Sequence, residues 1–357
     1  MFKTNRFYIG VIVSVAFLVL FFYKVDFQEL IQALQNANYL YVILGGVIYF
    51  VAIYLRTVRW RYILSPLGDF SIKKLYPIVV VGYTANNLMP VRLGEFVRAY
   101  YLGEKQKIGM SATLATILIE RIYDGLALIF FVALSVPILI AADVLVALAG
   151  TTAYWLIIGV FTAVIFVLAI AVLTVLAIIP RAIVIVTMPV SILPEKIRSK
   201  VLEIVDLFIY GLSCLKSPRR HVWIFLFSIM VWALEAFVYL LIGLAFHLED
   251  LFNGTVLIAV IMLMTASANL ISSIPASQGG IGPFEYVAAT TLELVGVAAE
   301  IGRAYVLALH LVVLIPVTLA GLVYLWWGDF TLGQLVGRSG VPNNKTDDHV
   351  VARKEIE

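Results

Sequence analysis

Residues 76–102 read YPIVVVGYTANNLMPVRLGEFVRAYYL. The run begins as a membrane span and turns polar at Asn86-Asn87, before the roughly 20 apolar residues of a full crossing are complete. Pro90 breaks the entering arm because it lacks an amide hydrogen, and a second helix can start near Gly94-Glu95, where Glu95 favours the positive N-terminal end. Residues 75–103 are therefore expected to form two arms of a hairpin that enters the membrane and returns to the side it came from.

The composition makes a membrane setting unavoidable. With 62% hydrophobic and 13% charged residues and a strongly positive mean hydropathy, 357 residues cannot hide their apolar side chains in one soluble core. The expected class is an all-α polytopic membrane protein. Net charge is only +3, and the basic residues lie in short loops beside apolar segments. This suits contact with anionic membrane lipids and excludes nucleic acid as the natural partner. Oligomeric state is not legible. The single cysteine, Cys214, excludes an intrachain disulfide and a multi-cysteine metal site. No cofactor or metal is indicated, and Cys214 reads as a packed or lipid-facing thiol.

Six full spans are expected, at about 7–23, 38–55, 111–141, 154–179, 222–247 and 300–327. The first follows Lys3 and Arg6 and reads as a retained anchor. A second hairpin is expected over 253–298, where the apolar run 254–274 is followed by PASQGGIGPFE, residues 275–285. The basic loops test this topology. With the N-terminus inside and both hairpins returning, Arg56, Arg59, Arg61, Lys73, Lys74, Lys105 and Lys107 are cytoplasmic, as are the basic residues of loop 180–221 and of the tail. The outer loops then hold Asp26, Glu29, Asp143, Glu249 and Asp250. One full crossing in place of either hairpin inverts the downstream loops and breaks the rule.

This arrangement contains a repeat. Residues 38–141 read span, hairpin, span from outside, and 222–327 read the same from inside, an inverted-topology repeat of the kind many secondary transporters use. Both hairpins carry Ala-Asn and a Pro-x-x-x-Gly element: Ala85-Asn86 with Pro90 to Gly94, and Ala268-Asn269 with Pro275 to Gly279. A single transmembrane domain thus covers about 1–330, with amphipathic stretches at 26–38 and within 194–212 fitting interfacial helices. Residues 331–357 are expected to be a disordered cytoplasmic tail.

Ionisable residues in hydrocarbon need a partner, water or a function. The first hairpin supplies Asn86, Asn87, Arg92, Glu95 and Arg98. Glu95 and Arg98 stand three apart and can pair; Arg92 sits in the turn, where a guanidinium can donate two hydrogen bonds to a phosphate-like head group. Arg92 and Arg98, with Arg121 beside them, are expected to bind that phosphate. An interfacial anchoring role is the plain alternative. In TLATILIERIYDGLAL, residues 113–128, Glu120 and Asp124 share a helix face, and Arg121 can bridge to Asp124 or Glu95. The carboxylates either orient arginines or titrate during a cycle. In the second hairpin Gly279, Gly280 and Gly282 permit exposed amides, Pro283 suits a first helical turn, and Glu285 caps that turn or binds a proton. Glu235 is central and needs a partner, Arg303 is expected to snorkel, His310 is a core residue or a relay, and Pro316 is expected to kink the last helix.

The run N-N-L-M-P-V-R-L-G-E-F-V-R-A-Y-Y-L, then A-T-x-x-x-E-R-x-x-D-G-L over 115–126, then P-A-S-Q-G-G-I-G-P-F-E, resembles the lysylphosphatidylglycerol synthase transmembrane-region family, over nearly the whole chain. The resemblance implies a flippase-like domain. In the aminoacyl-phospholipid synthases it precedes a soluble transferase domain and flips the modified lipid. The chain ends at the membrane domain, so the flippase half is expected here and aminoacyl transfer is not. The motif positions carried over are Asn87, Pro90, Arg92, Gly94, Glu95, Arg98, Glu120, Arg121, Asp124, Gly279, Gly280, Gly282 and Glu285. The expected function is movement of a phosphate-bearing lipid or polyprenyl phosphate between leaflets of the cell membrane, with both termini cytoplasmic. An ion-coupled carrier of a small anion and a membrane scaffold for a separate synthase are the alternatives.

Overall fold

The computed structural model describes residues 5–23, 25–89, 93–106, 109–145, 152–179, 194–273 and 278–327. Pro90, Arg92 and Pro275 lie outside the described residues, as do Lys107, the loop 180–193 and the tail. Among the described residues all regular structure is helical: α1 (Asn5–Phe22), α2 (Phe27–Asn36), α3 (Tyr39–Leu64), α4 (Ile72–Leu88), α5 (Gly94–Gln106), α6 (Met110–Ala141), α7 (Thr152–Ile178), α8 (Glu195–Gly211), α9 (Pro218–Ala245), α10 (Gly254–Ser272), α11 (Pro283–Leu294) and α12 (Ala299–Trp327). This is an all-α polytopic membrane protein.

Counted on the described residues alone, five helices are long and apolar enough to cross a bilayer by length and composition: α3, α6, α9, α10 and α12. α10 was expected to be one arm of a hairpin, yet its 19 residues rise about 28 Å and suffice for a crossing by length. The expected spans at 7–23 and 154–179 correspond to α1 and α7, helices of 18 and 27 residues, both within the range of lengths that cross a bilayer. A second correction concerns α3, expected to end near residue 55. It continues to Leu64, so Arg56 and Arg59, assigned to a cytoplasmic loop, are buried inside the bundle. The helix can continue because Thr57, Val58, Trp60, Ile63 and Leu64 supply a further apolar face, and Trp60, Ile63 and Leu64 are wholly buried.

The packing has a regular pairing. α3 lies against α9; α4 lies on α12, and α10 lies on α6 in the same relation. α5 packs between α4 and α6 as α11 packs between α10 and α12. α3 and α9 run antiparallel, since the amide of Asn38 donates to the carbonyl of Ala245 at one end (2.9 Å) and Arg59 reaches Ser228 towards the other (2.8 Å). α4 and α12 are stitched by the Thr84 hydroxyl, which donates to the carbonyl of Val317 (3.1 Å). α12 continues as helix on both sides of Pro316. Asp26 caps α2 by accepting from the amides of Gln28 and Glu29, and Leu30 is the buried residue of that short helix while Phe27 and Ile31 face outward. α8 lies along α6.

Two features of this packing are directly measurable. α4 and α5 approach so closely that a Cβ at Gly94 meets the Gly82 carbonyl and the Asn86 side chain, and overpacking of that kind costs about 1–3 kcal/mol. Gly94→Ala is therefore expected to lower the thermal midpoint of the purified protein, whereas an alanine at Gly254, which has open space around it, is not. Cys214 lies in the 3₁₀ turn Leu212–Lys216, outside the spanning helices, and burial pushes its thiol up to about 12. At pH 8 maleimide is expected to label it at least about tenfold faster in denatured than in native protein, because only an accessible thiolate reacts.

Candidate functional site

Four helices bring their ionisable side chains together. α3 contributes Arg56 and Arg59, α5 Glu95 and Arg98, α6 Glu120, Arg121 and Asp124, and α9 Glu235 with Ser228 and Trp232. The ion pairs are Arg56 with Glu235; Arg59 with Asp124 (2.5 Å) and Glu120 (3.2 Å); Arg98 with Glu120 (2.9 Å); and Arg121 with Glu120 (3.4 Å), Glu95 (3.7 Å) and Asp124 (3.7 Å). Four guanidinium groups thus face four carboxylates. A lone charge here would carry a desolvation cost of several kcal/mol, and matching four cations to four anions among the described residues offsets part of that cost.

Geometry adds to charge. Arg98 places two nitrogens on the two oxygens of Glu120, at 3.2 and 2.9 Å, a fork-to-fork pairing available only to arginine. Its guanidinium lies 4.2 Å from the Trp60 ring centre, and that of Arg56 lies 4.8 Å from Trp232. Trp232 Nε1 donates to Asp124 (2.9 Å), and Arg59 also donates to Ser228. The indole rings give the charged planes an apolar but electrostatically favourable cover.

These placements revise the expected roles. The Glu95–Arg98 pair does not form: three-residue spacing permits it, but Arg98 turns to Glu120 and Glu95 to Arg121. Arg98, expected on a phosphate, is instead 4% exposed with its fork occupied. Arg121 forms both bridges proposed for it, and its side chain is 31% exposed, which makes it the accessible cation of the described cluster. Asn86 Oδ1 accepts from the amide of Gly94 (2.7 Å) and so closes the turn around the break; Asn87 Nδ2 donates to Thr318 on α12 (2.9 Å). Both asparagines have protein partners. Arg303, expected to snorkel, pairs with Glu293 (3.2 Å).

The second hairpin builds a smaller cluster. Gly279, Gly280 and Gly282 all have positive φ, at 60°, 78° and 99°, a conformation that a side chain would strain. The chain can therefore turn tightly into Pro283 at the start of α11. The amide of Gly282 donates to Glu285 Oε2 (2.7 Å), so this amide serves the capping carboxylate instead of a ligand. The other oxygen of Glu285 meets His310 Nδ1 (2.5 Å), and His310 Nε2 faces the carbonyl of Gly279 (3.1 Å). A carbonyl only accepts, so Nε2 carries hydrogen. One proton must then sit between Nδ1 and Glu285, on either group, or two lone pairs would oppose each other. The two hairpin tips also meet: a Cβ at Gly279 would lie 3.5 Å from the Cα of Asn87.

Against this geometry, known proteins give a consistent result. The model of the lysylphosphatidylglycerol synthase transmembrane region matches residues 7–321. The chain belongs to that family. Among curated relatives, a UPF0104 membrane protein of Methanocaldococcus jannaschii is 29% identical over 132 residues, 36% of this chain and 39% of the relative. A UPF0104 membrane protein of Methanothermobacter thermautotrophicus is 33% identical over 111 residues, 30% of this chain and 33% of the relative. Glycosyltransferase AglD of Haloferax volcanii is 32% identical over 121 residues, 33% of this chain and 19% of that protein. The chain thus spans well under half the length of each of these relatives. No solved structure matches.

Arg56, Arg59, Ser228 and Trp232 were missed as site residues. The available signal was the three-residue spacing of Arg56 and Arg59 within a continuing apolar helix, together with an unpartnered Glu235. The Arg56–Glu235 pair gives a direct test of the cluster as a stabilising unit in this family member. Arg56→Met leaves a buried carboxylate without its partner and is expected to cost about 3–5 kcal/mol. Arg56→Met with Glu235→Met is expected to recover most of that loss in thermal unfolding of the detergent-solubilised protein.

Proposed function

We propose that this family member moves a phosphate-bearing lipid, or a polyprenyl phosphate, between leaflets of the cell membrane, and that it does so as a transporter and not as a group-transfer enzyme. The reading takes α3–α6 and α9–α12 as the two halves of an inverted repeat, with both termini cytoplasmic. One observation carries it: two interrupted helix pairs, α4–α5 and α10–α11, meet at Asn87 and Gly279, and a charge cluster lies beside the break of the first. Broken helices meeting inside a bundle are how secondary transporters place polar backbone and charge at depth. The exchange of packing partners between the halves supports two related units able to rock against each other.

In this scheme the head-group phosphate engages Arg121 and Arg92. Arg59 and Arg98 hold Glu120 and Asp124, and so keep Arg121 aimed toward water. Glu95 is the competitor that a phosphate displaces from Arg121. The acyl or polyprenyl chain stays in lipid. Kinship with a protein named a glycosyltransferase favours a cargo made by group transfer elsewhere. The Glu285–His310 proton beside the tip contact favours proton coupling as the energy source, since removing it sets a carboxylate against a ring lone pair where the hairpins touch.

The test is leaflet exchange of a fluorescent anionic lipid in proteoliposomes. Loss of one charge-assisted hydrogen-bonding partner is worth about 1.5–3 kcal/mol, so Arg121→Ala is expected to slow exchange about tenfold or more and, because it leaves the carboxylates one cation short, also to lower the thermal midpoint. Arg121→Lys, which keeps the charge and loses the fork, is expected to slow exchange with a smaller loss of stability. Exchange at the parent rate by a folded Arg121→Ala protein removes Arg121 from the head-group path.

A further inference from the structure

Between α3, α4 and α12 the surface holds a lateral groove of about 1220 Å³, lined among others by Val47, Phe50, Val51, Tyr54, Tyr76 and Tyr324. Sites for small molecules usually enclose about 300–1,000 Å³, so this one is large. One end is cationic, with Arg61, Lys73 and Lys74 in its wall. Asp69 is the acid among them and pairs with Arg61 at 3.2 Å, but the two side chains are 92% and 46% exposed. Surface pairs of that kind contribute little and open easily.

We propose that this groove binds one anionic phospholipid, its phosphate held by Arg61, Lys73 and Lys74 and an acyl chain lying along α3 past Tyr54 to Val47. Three features point to that occupant. First, charge and apolar surface are continuous along one helix face: residues 47, 51, 54 and 61 follow helical spacing on α3, and all are exposed. Second, the lengths agree. Val47 lies about 21 Å from Arg61 at 1.5 Å per residue, enough to carry a chain across one leaflet's roughly 15 Å of hydrocarbon.

Third, the cations sit against the electrostatic preference of their helix. The first turn of α4 contains Lys73 and Lys74 and no acid, whereas a helix N-terminus favours negative charge. Among the described residues neither lysine has a carboxylate partner. An anion from outside the chain satisfies both the lysines and the helix end, and the apolar floor leading away from them selects a lipid over a free anion. Tyr54 and Tyr76, with ring centres 6.4 Å apart, flank the passage, and amphipathic rings of this kind suit a head-group boundary.

The site stands on the groove itself and rests on the transport reading only for what happens after binding. It is tested with the full chain in nanodiscs containing phosphatidylglycerol whose acyl chain carries a diazirine, followed by mapping of the photolabelled residues. Labels are expected to concentrate on residues 47–54 and 76. Lys73→Glu with Lys74→Glu is expected to reduce that labelling at least about fivefold, in line with the loss and reversal of two charges at a lipid surface. Val47→Trp with Val51→Trp, which fills the apolar lane and leaves the charges, is expected to do the same. Labelling spread evenly over the lipid-facing helices, or insensitive to both variants, overturns the site. Competition by millimolar inorganic phosphate alone reassigns it to a soluble anion and also overturns it. Leaflet exchange measured on the same samples separates the two readings. Localised labelling without exchange sinks transport and leaves the site, and exchange without localised labelling sinks the site and leaves transport.

Discussion

Everything around the interior of this protein depends on Arg59. It is wholly buried at the junction of α3, α6 and α9, where an isolated guanidinium would be intolerable. Asp124 and Glu120 neutralise it, and in doing so they fix how far α6 is rotated and how close it lies to α3. Glu120 in turn draws Arg98 from α5, which pins the returning arm of the first hairpin. A single buried charge thus propagates into the placement of three other elements. Such a network is costly to leave half made, so its members specify one arrangement of helices whose apolar faces alone would allow several.

The same closure explains why most of the conspicuous charged residues are poor candidates for direct contact with a ligand. Arg59 and Arg98 have their donors committed to carboxylates, and the indole rings of Trp60 and Trp232 cover Arg98 and Arg56. Arg121 differs because its side chain reaches the partly open edge and its three ion pairs are longer. Longer contacts at higher exposure are the ones a phosphate can displace. The second hairpin follows a different logic. Its glycines supply tight backbone, and Glu285 and His310 share a proton and hold the Gly279 carbonyl beside the other tip. Charge balance organises the cluster between α3, α5, α6 and α9, and a hydrogen-bonded turn organises the start of α11.

Much of the fold was legible from residues. Asn86-Asn87, Pro90 and Gly94 announced an interrupted helix, and Pro283 with Glu285 announced a helix start; α4, α5 and α11 follow those signals because missing amides and capping act within a few residues. Span ends were harder. The continuation of α3 past Arg56 depends on Glu235, 179 positions away, and on Asp124. Nothing near Arg56 reports those partners, and two arginines after an apolar run look like a cytoplasmic boundary. The Glu95–Arg98 pairing failed for a related reason. Local spacing states which pairs are possible, and a better-placed carboxylate on another helix decides which one forms.

The sequence by itself determined that the chain is a helical membrane protein of the lysylphosphatidylglycerol synthase transmembrane-region family with two broken helices, because hydropathy, helix breaks and motif residues are properties of short stretches. Only the tertiary structure decided which arginine meets which carboxylate, that the hairpin tips touch, and that a groove with a cationic mouth opens between α3, α4 and α12. Those features depend on side chains brought together from distant helices, and in a bilayer the decisive quantity is the desolvation of each charge, which exists only once the helices have packed.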